Sequence, residues 1–95
     1  MVKYIIFGNY TEKGLDNIQE SPSRLQNTRE LAKKYEGEIS AFYLTLGQYD
    51  FFLICKFPNN EKVAQFSLKL SSLGNVRTNT LKAFTEDEFK QLLES

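Results

Sequence analysis

Apolar positions along the chain recur with two different periods, and the points where one period gives way to the other mark out the elements. Val2 to Gly8 is an apolar run on both alternating faces, which predicts a first strand lying centrally in a sheet. Thr11 can cap a short helical stretch through Ile18, weakened by Gly14. Ser21-Pro22 restarts the helix, with Ser as N-cap and Pro at the first helical position. Leu25, Thr28, Leu31, Ala32 and Tyr35 follow at helical spacing as one buried stripe, and Gly37 supplies a stop.

The period then falls to two. Ile39 to Leu46 and Tyr49 to Phe57 are rich in aromatic and β-branched residues, and Gly47-Gln48 between them suits a two-residue type II′ turn. That register pairs Leu46 with Tyr49, Leu44 with Phe51, Phe42 with Leu53 and Ser40 with Cys55. Cross-strand partners share a face, so this face is almost wholly apolar. The other face pairs Thr45 with Asp50, Tyr43 with Phe52, Ala41 with Ile54 and Ile39 with Lys56. It too is largely apolar, but carries a carboxylate, two hydroxyls and an ammonium. A three-residue loop would shift the pairing by one.

Helical spacing returns after Phe57-Pro58. Asn59 or Asn60 can cap a second helix whose buried ridge is Val63, Phe66, Leu70 and Leu73, with Glu61, Lys62, Gln65 and Lys69 nearer solvent and Gly74 closing it. Asn75 to Phe84 reads as the last strand. Thr85-Glu-Asp-Glu88 is a capping box for a final short helix with an apolar edge of Phe89, Leu92 and Leu93. The order β-α-β-β-α-β, then a helix, predicts an α+β class fold: a ferredoxin-like sandwich occupying residues 1–95 as one domain. Its helices cover one sheet face and leave the other open. A wet sheet face usually alternates toward polar residues, and this one does not. Two open faces are therefore expected to meet as a dimeric α+β barrel, giving a homo-oligomer of two copies or more.

Composition narrows the chemistry. Hydrophobic residues make up 41% and aromatics 14%, which favours a folded core over disorder. Twelve basic and twelve acidic residues balance without a like-charge block, against sequence-independent binding to nucleic acid or anionic membrane. The Tyr4–Phe7 apolar run is too short for a signal-peptide core, and no stretch has a membrane span, so a cytoplasmic setting is expected. One cysteine and no histidine remove the commonest proton carrier and metal ligand, and no metal or cofactor is expected.

What remains is a group of candidates around the hairpin. Asp50, one residue past the turn, could act as a general base with Tyr43 orienting a substrate, or accept from a ligand amine or hydroxyl. The competing reading has Asp50 bonding turn amides or an Arg across a dimer seam, and this structural role is the expectation. Tyr43, Thr45, Tyr49, Asp50, Arg77, Thr78 and Thr80 are the candidate ligand-binding residues, each weighed against ordinary packing. Arg24 and Arg77 are cations able to clamp a carboxylate or phosphate, against a plain surface salt bridge.

The segments Tyr43-Leu-Thr-Leu-Gly-Gln-Tyr-Asp50 and Gly74-Asn-Val-Arg-Thr-Asn-Thr-Leu-Lys-Ala-Phe-Thr85, with Thr11–Gly14 and Glu20–Arg24, resemble the GYD domain family over essentially the whole chain. Here Gln48 is inserted between Gly47 and Tyr49-Asp50. The resemblance implies a ferredoxin-like, oligomeric small protein without a common activity. A more distant likeness is to the effector-binding domains of Lrp/AsnC-type regulators, which share a Gly-x-Tyr-Asp turn and a Gly-x-Val-Arg-Thr-x-Thr run. That likeness implies sheet-mediated dimers binding amino acids or similar small molecules between subunits. No helix-turn-helix is attached, so DNA binding does not carry over. The expected function is a small oligomeric module binding a small molecule at a subunit interface. The alternatives are a cofactor-independent enzyme of the monooxygenase or isomerase type, and a purely structural assembly unit.

Overall fold

The computed structural model describes residues 1–94, in the order β1 (Val2–Tyr10), α1 (Glu12–Asp16), a 3₁₀ turn (Ile18–Glu20), α2 (Ser21–Lys34), β2 (Glu38–Leu44), β3 (Phe51–Phe57), α3 (Asn60–Ser72), β4 (Val76–Lys82) and α4 (Glu86–Glu94). The four strands form one antiparallel sheet in the order β2-β3-β1-β4, the arrangement of a ferredoxin-like fold. The two most apolar strands, β1 and β3, lie in the middle, where both of their edges are hydrogen-bonded.

Alternation sends Tyr4 and Ile6 of β1, and Phe51, Leu53, Cys55 and Phe57 of β3, to one side. There they meet Ala32 of α2 and Val63, Phe66 and Leu70 of α3, which together form the buried core. Phe57 and Phe66 are fully enclosed and their ring centroids are 5.1 Å apart. Burying each contributes about 1.5–3 kcal/mol. Of the stripe expected on α2, Ala32 is buried, Leu25, Leu31 and Tyr35 are partly buried beside it, and Thr28 turns its hydroxyl to Arg24 O. Leu73 is the exception on α3: it lies past the last turn, 49% exposed.

The first helical stretch is interrupted. α1 ends at Asp16 and a 3₁₀ turn precedes α2. Ser21 is already helical rather than an N-cap, and its hydroxyl lies 3.2 Å from that of Tyr10. Gly37 is not the left-handed stop, because Glu36 takes that conformation at φ 64°. Gly37 is needed for space instead: a Cβ there would sit 2.2 Å from the Phe57 ring.

The hairpin departs from a regular ladder at both ends. Leu44–Phe51, Tyr43–Phe52, Phe42–Leu53 and Ala41–Ile54 pair as expected. Ser40 is then extra, a β-bulge, so Ile39 pairs with Cys55 and Glu38 with Lys56 rather than Ser40 with Cys55 and Ile39 with Lys56. The bulge turns Ile39 into the core and sets Glu38 opposite an ammonium. At the other end the tight turn is replaced by a six-residue loop, 45–50, with Gly47 at φ +128°. The loop is held by Thr45 N–H donating to Asp50 O at 2.8 Å and by the Thr45 hydroxyl donating to Tyr49 O at 2.7 Å. Leu46 is fully exposed and does not pair with Tyr49.

At the C-terminus, Thr85 and Glu88 form a reciprocal capping box: Thr85 N–H donates to Glu88 Oε1 at 2.8 Å, and Glu88 N–H to Thr85 Oγ1 at 3.1 Å. α4 buries none of its side chains; Phe89, Leu92 and Leu93 are 56%, 56% and 72% exposed.

Candidate functional site

The helix-free side of the sheet is built from the residues that alternate with the core. Ile5 and Phe7 of β1 stand beside Ile54 and Phe52 of β3, with Ala41 and Tyr43 of β2 on one flank and Leu81 and Asn79 of β4 on the other. Its centre is a row of four rings. Tyr43 stacks on Phe52 at 5.1 Å, Phe52 lies 5.8 Å from Phe7, and Phe7 lies 4.9 Å from Tyr49. Tyr49 reaches this row by folding back from the loop, and its hydroxyl accepts a hydrogen bond from Asn79 Nδ2 at 3.0 Å. This reverses the expectation from a tight turn, which puts Tyr49 on the core face. The reason is the longer loop, which frees its ring to pack on Phe7.

Asp50 does not project from this surface as a free acid. Its Oδ2 accepts from Tyr10 N–H at 2.9 Å, and its own N–H donates to Gly8 O and to Asn9 Oδ1, both at 3.0 Å. Together these bonds pin the β2–β3 loop to the end of β1. Thr45 is likewise engaged within the loop. Arg77 is exposed on β4 opposite Asn9, on the open side. Thr78 and Thr80 point the other way. Their hydroxyls lie 3.4 Å and 3.0 Å from those of Ser71 and Ser67 on α3. Of the seven candidates, the structure therefore brings Tyr43, Tyr49 and Arg77 to the open face, spends Thr45 and Asp50 on the loop, and puts Thr78 and Thr80 beneath a helix.

Sequence reasoning misses a second feature, a cavity of about 370 Å³ between α2, α3 and the helix-covered side of the sheet. Phe42, Phe51, Leu53, Leu70 and Val76 line it, with Lys13 and Arg24 as its charged residues. Each apolar residue reads singly as core, so the gap they enclose leaves no periodic signal. Arg24 is the part of it that the chain does announce, as a cation of unassigned purpose.

The remaining reactive groups are quiet. Burial pushes the Cys55 thiol up to about 12 and keeps it protonated and unreactive. Burial likewise raises Tyr4, whose hydroxyl donates to Asn60. Among the described residues, no cluster of three or more His, Cys, Asp or Glu is placed to hold a metal ion. No helix among them is long and apolar enough to cross a membrane.

The model of the GYD domain matches residues 4–93, which reach all four strands and the open face they form. The chain belongs to the GYD domain family. Within the matched span lies the β2–β3 loop, where Gly47 gives the positive φ, Tyr49 joins the aromatic row and Asp50 fastens the loop. The chain is also similar to a protein of Thermus thermophilus called glutamine synthetase and cystathionine beta-lyase binding protein. The two are 31% identical over 84 residues, covering 87% of this chain and 88% of that relative.

Proposed function

We propose that this GYD protein is a binding module rather than a catalyst, and that copies assemble through the open sheet face to present a surface to a partner protein. The observation that carries the reading is the aromatic row Tyr43–Phe52–Phe7–Tyr49, bordered by Ile5, Ile54 and Leu81, with no helix of its own chain over it. A second copy is the occupant that the dimensions favour. Four strands at about 4.8 Å and seven residues at about 3.3 Å make a face of roughly 20 × 23 Å, or about 450 Å² per copy before side-chain relief. Two such faces approach the roughly 1,200 Å² at which stable interfaces begin. The exposed edge of α4 can supply the rest.

The hydrogen bonds of Asp50 support binding over catalysis. A general base needs a lone pair aimed at a substrate proton, and one Asp50 oxygen is committed to the Tyr10 amide. Asp50 is also absent from the residues lining the helix-side cavity. From the relative's name we extend a partner class to this chain: glutamine synthetase or cystathionine beta-lyase, met in the cytoplasm. A small ligand held between copies would contact Tyr43, Tyr49 and Arg77, the candidates that share the open face.

Sedimentation velocity tests the assembly, and co-sedimentation with each purified enzyme tests the partner. The wild type is expected as a dimer or larger. Phe52→Asp is expected as a folded monomer, at least tenfold weaker for the enzyme. A wild type that stays monomeric at high concentration, or that binds neither enzyme, overturns the reading.

A further inference from the structure

We infer that the cavity between α2 and α3 is a binding site for a small monocarboxylic acid with an apolar body, apart from the open sheet face and independent of how copies assemble. This cavity is a cleft partly open to solvent, and an enclosed apolar cavity of about 150 Å³ already takes benzene. At about 370 Å³ this one has room for a body of about ten non-hydrogen atoms. Much of its lining is apolar, with Phe42, Phe51 and Leu53 from the sheet and Leu70 and Val76 from α3 and β4, beside the neutral polar groups of Tyr10, Ser21, Asn27, Thr28 and Asn75. Such a lining favours an aliphatic or aromatic body and disfavours a phosphate, which would lose its hydration against it.

The head group follows from charge. Lys13 and Arg24 are both cations, and among the described residues no acidic side chain lines the cavity. Arg24 is held in place: its Nη1 donates to Asn17 O at 2.8 Å and its Nη2 to Gly14 O at 3.3 Å. A guanidinium has five N–H donors in a rigid fork, so those two bonds orient it and leave capacity for a planar carboxylate. Its ion pair with Glu20 is long, at 3.9 Å, and lies toward solvent, with the Glu20 side chain 72% exposed. A pair of that kind yields readily to a better-placed anion. Lys13 spans from α1 to the end of α3, its Nζ donating to Leu73 O at 2.9 Å. A ligand ammonium finds no counter-charge in this lining, which separates a simple carboxylic acid from a zwitterion.

The experiment titrates isotope-labelled full-length protein with octanoate, octanol and octylamine, following backbone amide shifts by NMR. Octanoate is expected to move Leu25, Leu70 and Val76 and to bind at least tenfold tighter than octanol, with octylamine weakest. Removing a hydrogen bond to a charged group is worth about ten- to hundredfold, so Arg24→Gln should close the gap between acid and alcohol. Val76→Phe, which puts a ring into the cavity, should weaken binding of both. Where Arg24→Gln unfolds, Lys13→Gln at an exposed position reads the same gap. Equal affinities for acid and alcohol in the wild type overturn the proposal. So do octanoate shifts confined to Phe7, Phe52 and Leu81, or an affinity that Val76→Phe leaves unchanged in a folded protein.

Discussion

Along the two central strands both faces of the sheet are largely apolar, yet they end in different surroundings. Along β3, Phe51, Leu53, Cys55 and Phe57 are buried under helices, while Phe52, Ile54 and Lys56 alternate with them on the other side. Along β1, Tyr4 and Ile6 are 2% and 0% exposed, and their neighbours Ile5 and Phe7 are half-buried. At their centres the faces therefore differ in coverage more than in hydrophobicity, while toward its margins the open side also carries Lys3, Asn9, Lys56, Arg77 and Asn79. β1 and β3 read like strands of a sheet covered on both sides, and one copy of the chain covers a single side. The cost of leaving the second side wet is the physical reason for expecting assembly.

Truncating one aromatic on each face breaks the comparison open. Phe57→Ala removes a fully enclosed ring, and urea unfolding should show a loss of about 3–5 kcal/mol at any protein concentration. Phe52→Ala removes a ring stacked on Tyr43 and tilted against Phe7 on the open side, with an expected loss of about 1 kcal/mol in dilute protein. Where copies cover that face, the Phe52→Ala deficit should grow as the wild type is concentrated, because association stabilises the folded state by mass action. Equal losses at the lowest concentration would mean that the two faces are equally covered within one chain.

The loop that carries Tyr49 onto the open face allows a finer distinction. Asp50→Ala leaves the Tyr10 amide without its acceptor and should cost about 1–3 kcal/mol in thermal or urea unfolding. Asp50→Asn keeps a carbonyl oxygen for that amide and should recover most of the loss. Charge is then shown to matter less than the acceptor, as a structural role requires. An Asn variant as damaged as the Ala variant would point to the carboxylate's charge, and so back toward a proton-transferring Asp50.

Much of this was legible along the chain because packing and pattern agree there. The alternation in β1 and β3, the α2 stripe and the Thr85–Glu88 box are local signals, and each appears where its period places it. The departures arise where a distant contact overrides a local rule. Ile39 has the wrong parity for the core in a regular ladder, and an apolar residue opposite Lys56 was the trace of a bulge. Gly47-Gln48 suits a tight turn on its own, but β1 pulls Asp50 toward Gly8 and Asn9, and Phe7 pulls Tyr49 across, so the loop opens. Thr78 and Thr80 looked like pocket hydroxyls because strand parity does not say which side the helices take. The cavity beside Arg24 was the least legible, since an unfilled volume depends on three elements diverging and no residue type encodes it.

α4 provides the smallest effect and the cleanest one to read, because the two hydrogen bonds of its cap lie within residues 85–88. A nine-residue helix with no buried side chain is below the length at which isolated helices persist, about 12–15 residues, so its termini must hold it until something covers its apolar edge. The bond from the Thr85 amide holds the Glu88 carboxyl below its ordinary 4.5, helped by the nearby Lys82 and Lys3 ammonium groups. A depressed folded value means that the ionised form favours the capped helix. The contribution is complete above pH 4.5 and is lost as pH falls through the lower folded value. NMR titration should therefore show α4 amide protection declining in that acidic window, with the Glu88 carboxyl shift tracking it. Glu88→Gln should flatten the pH response, and Thr85→Ala should weaken the helix by about 1 kcal/mol at all pH values. Should α4 keep its protection through that window only in concentrated samples, the apolar edge of Phe89, Leu92 and Leu93 would be the stronger support. α4 would then belong with the open sheet face as surface awaiting a second copy.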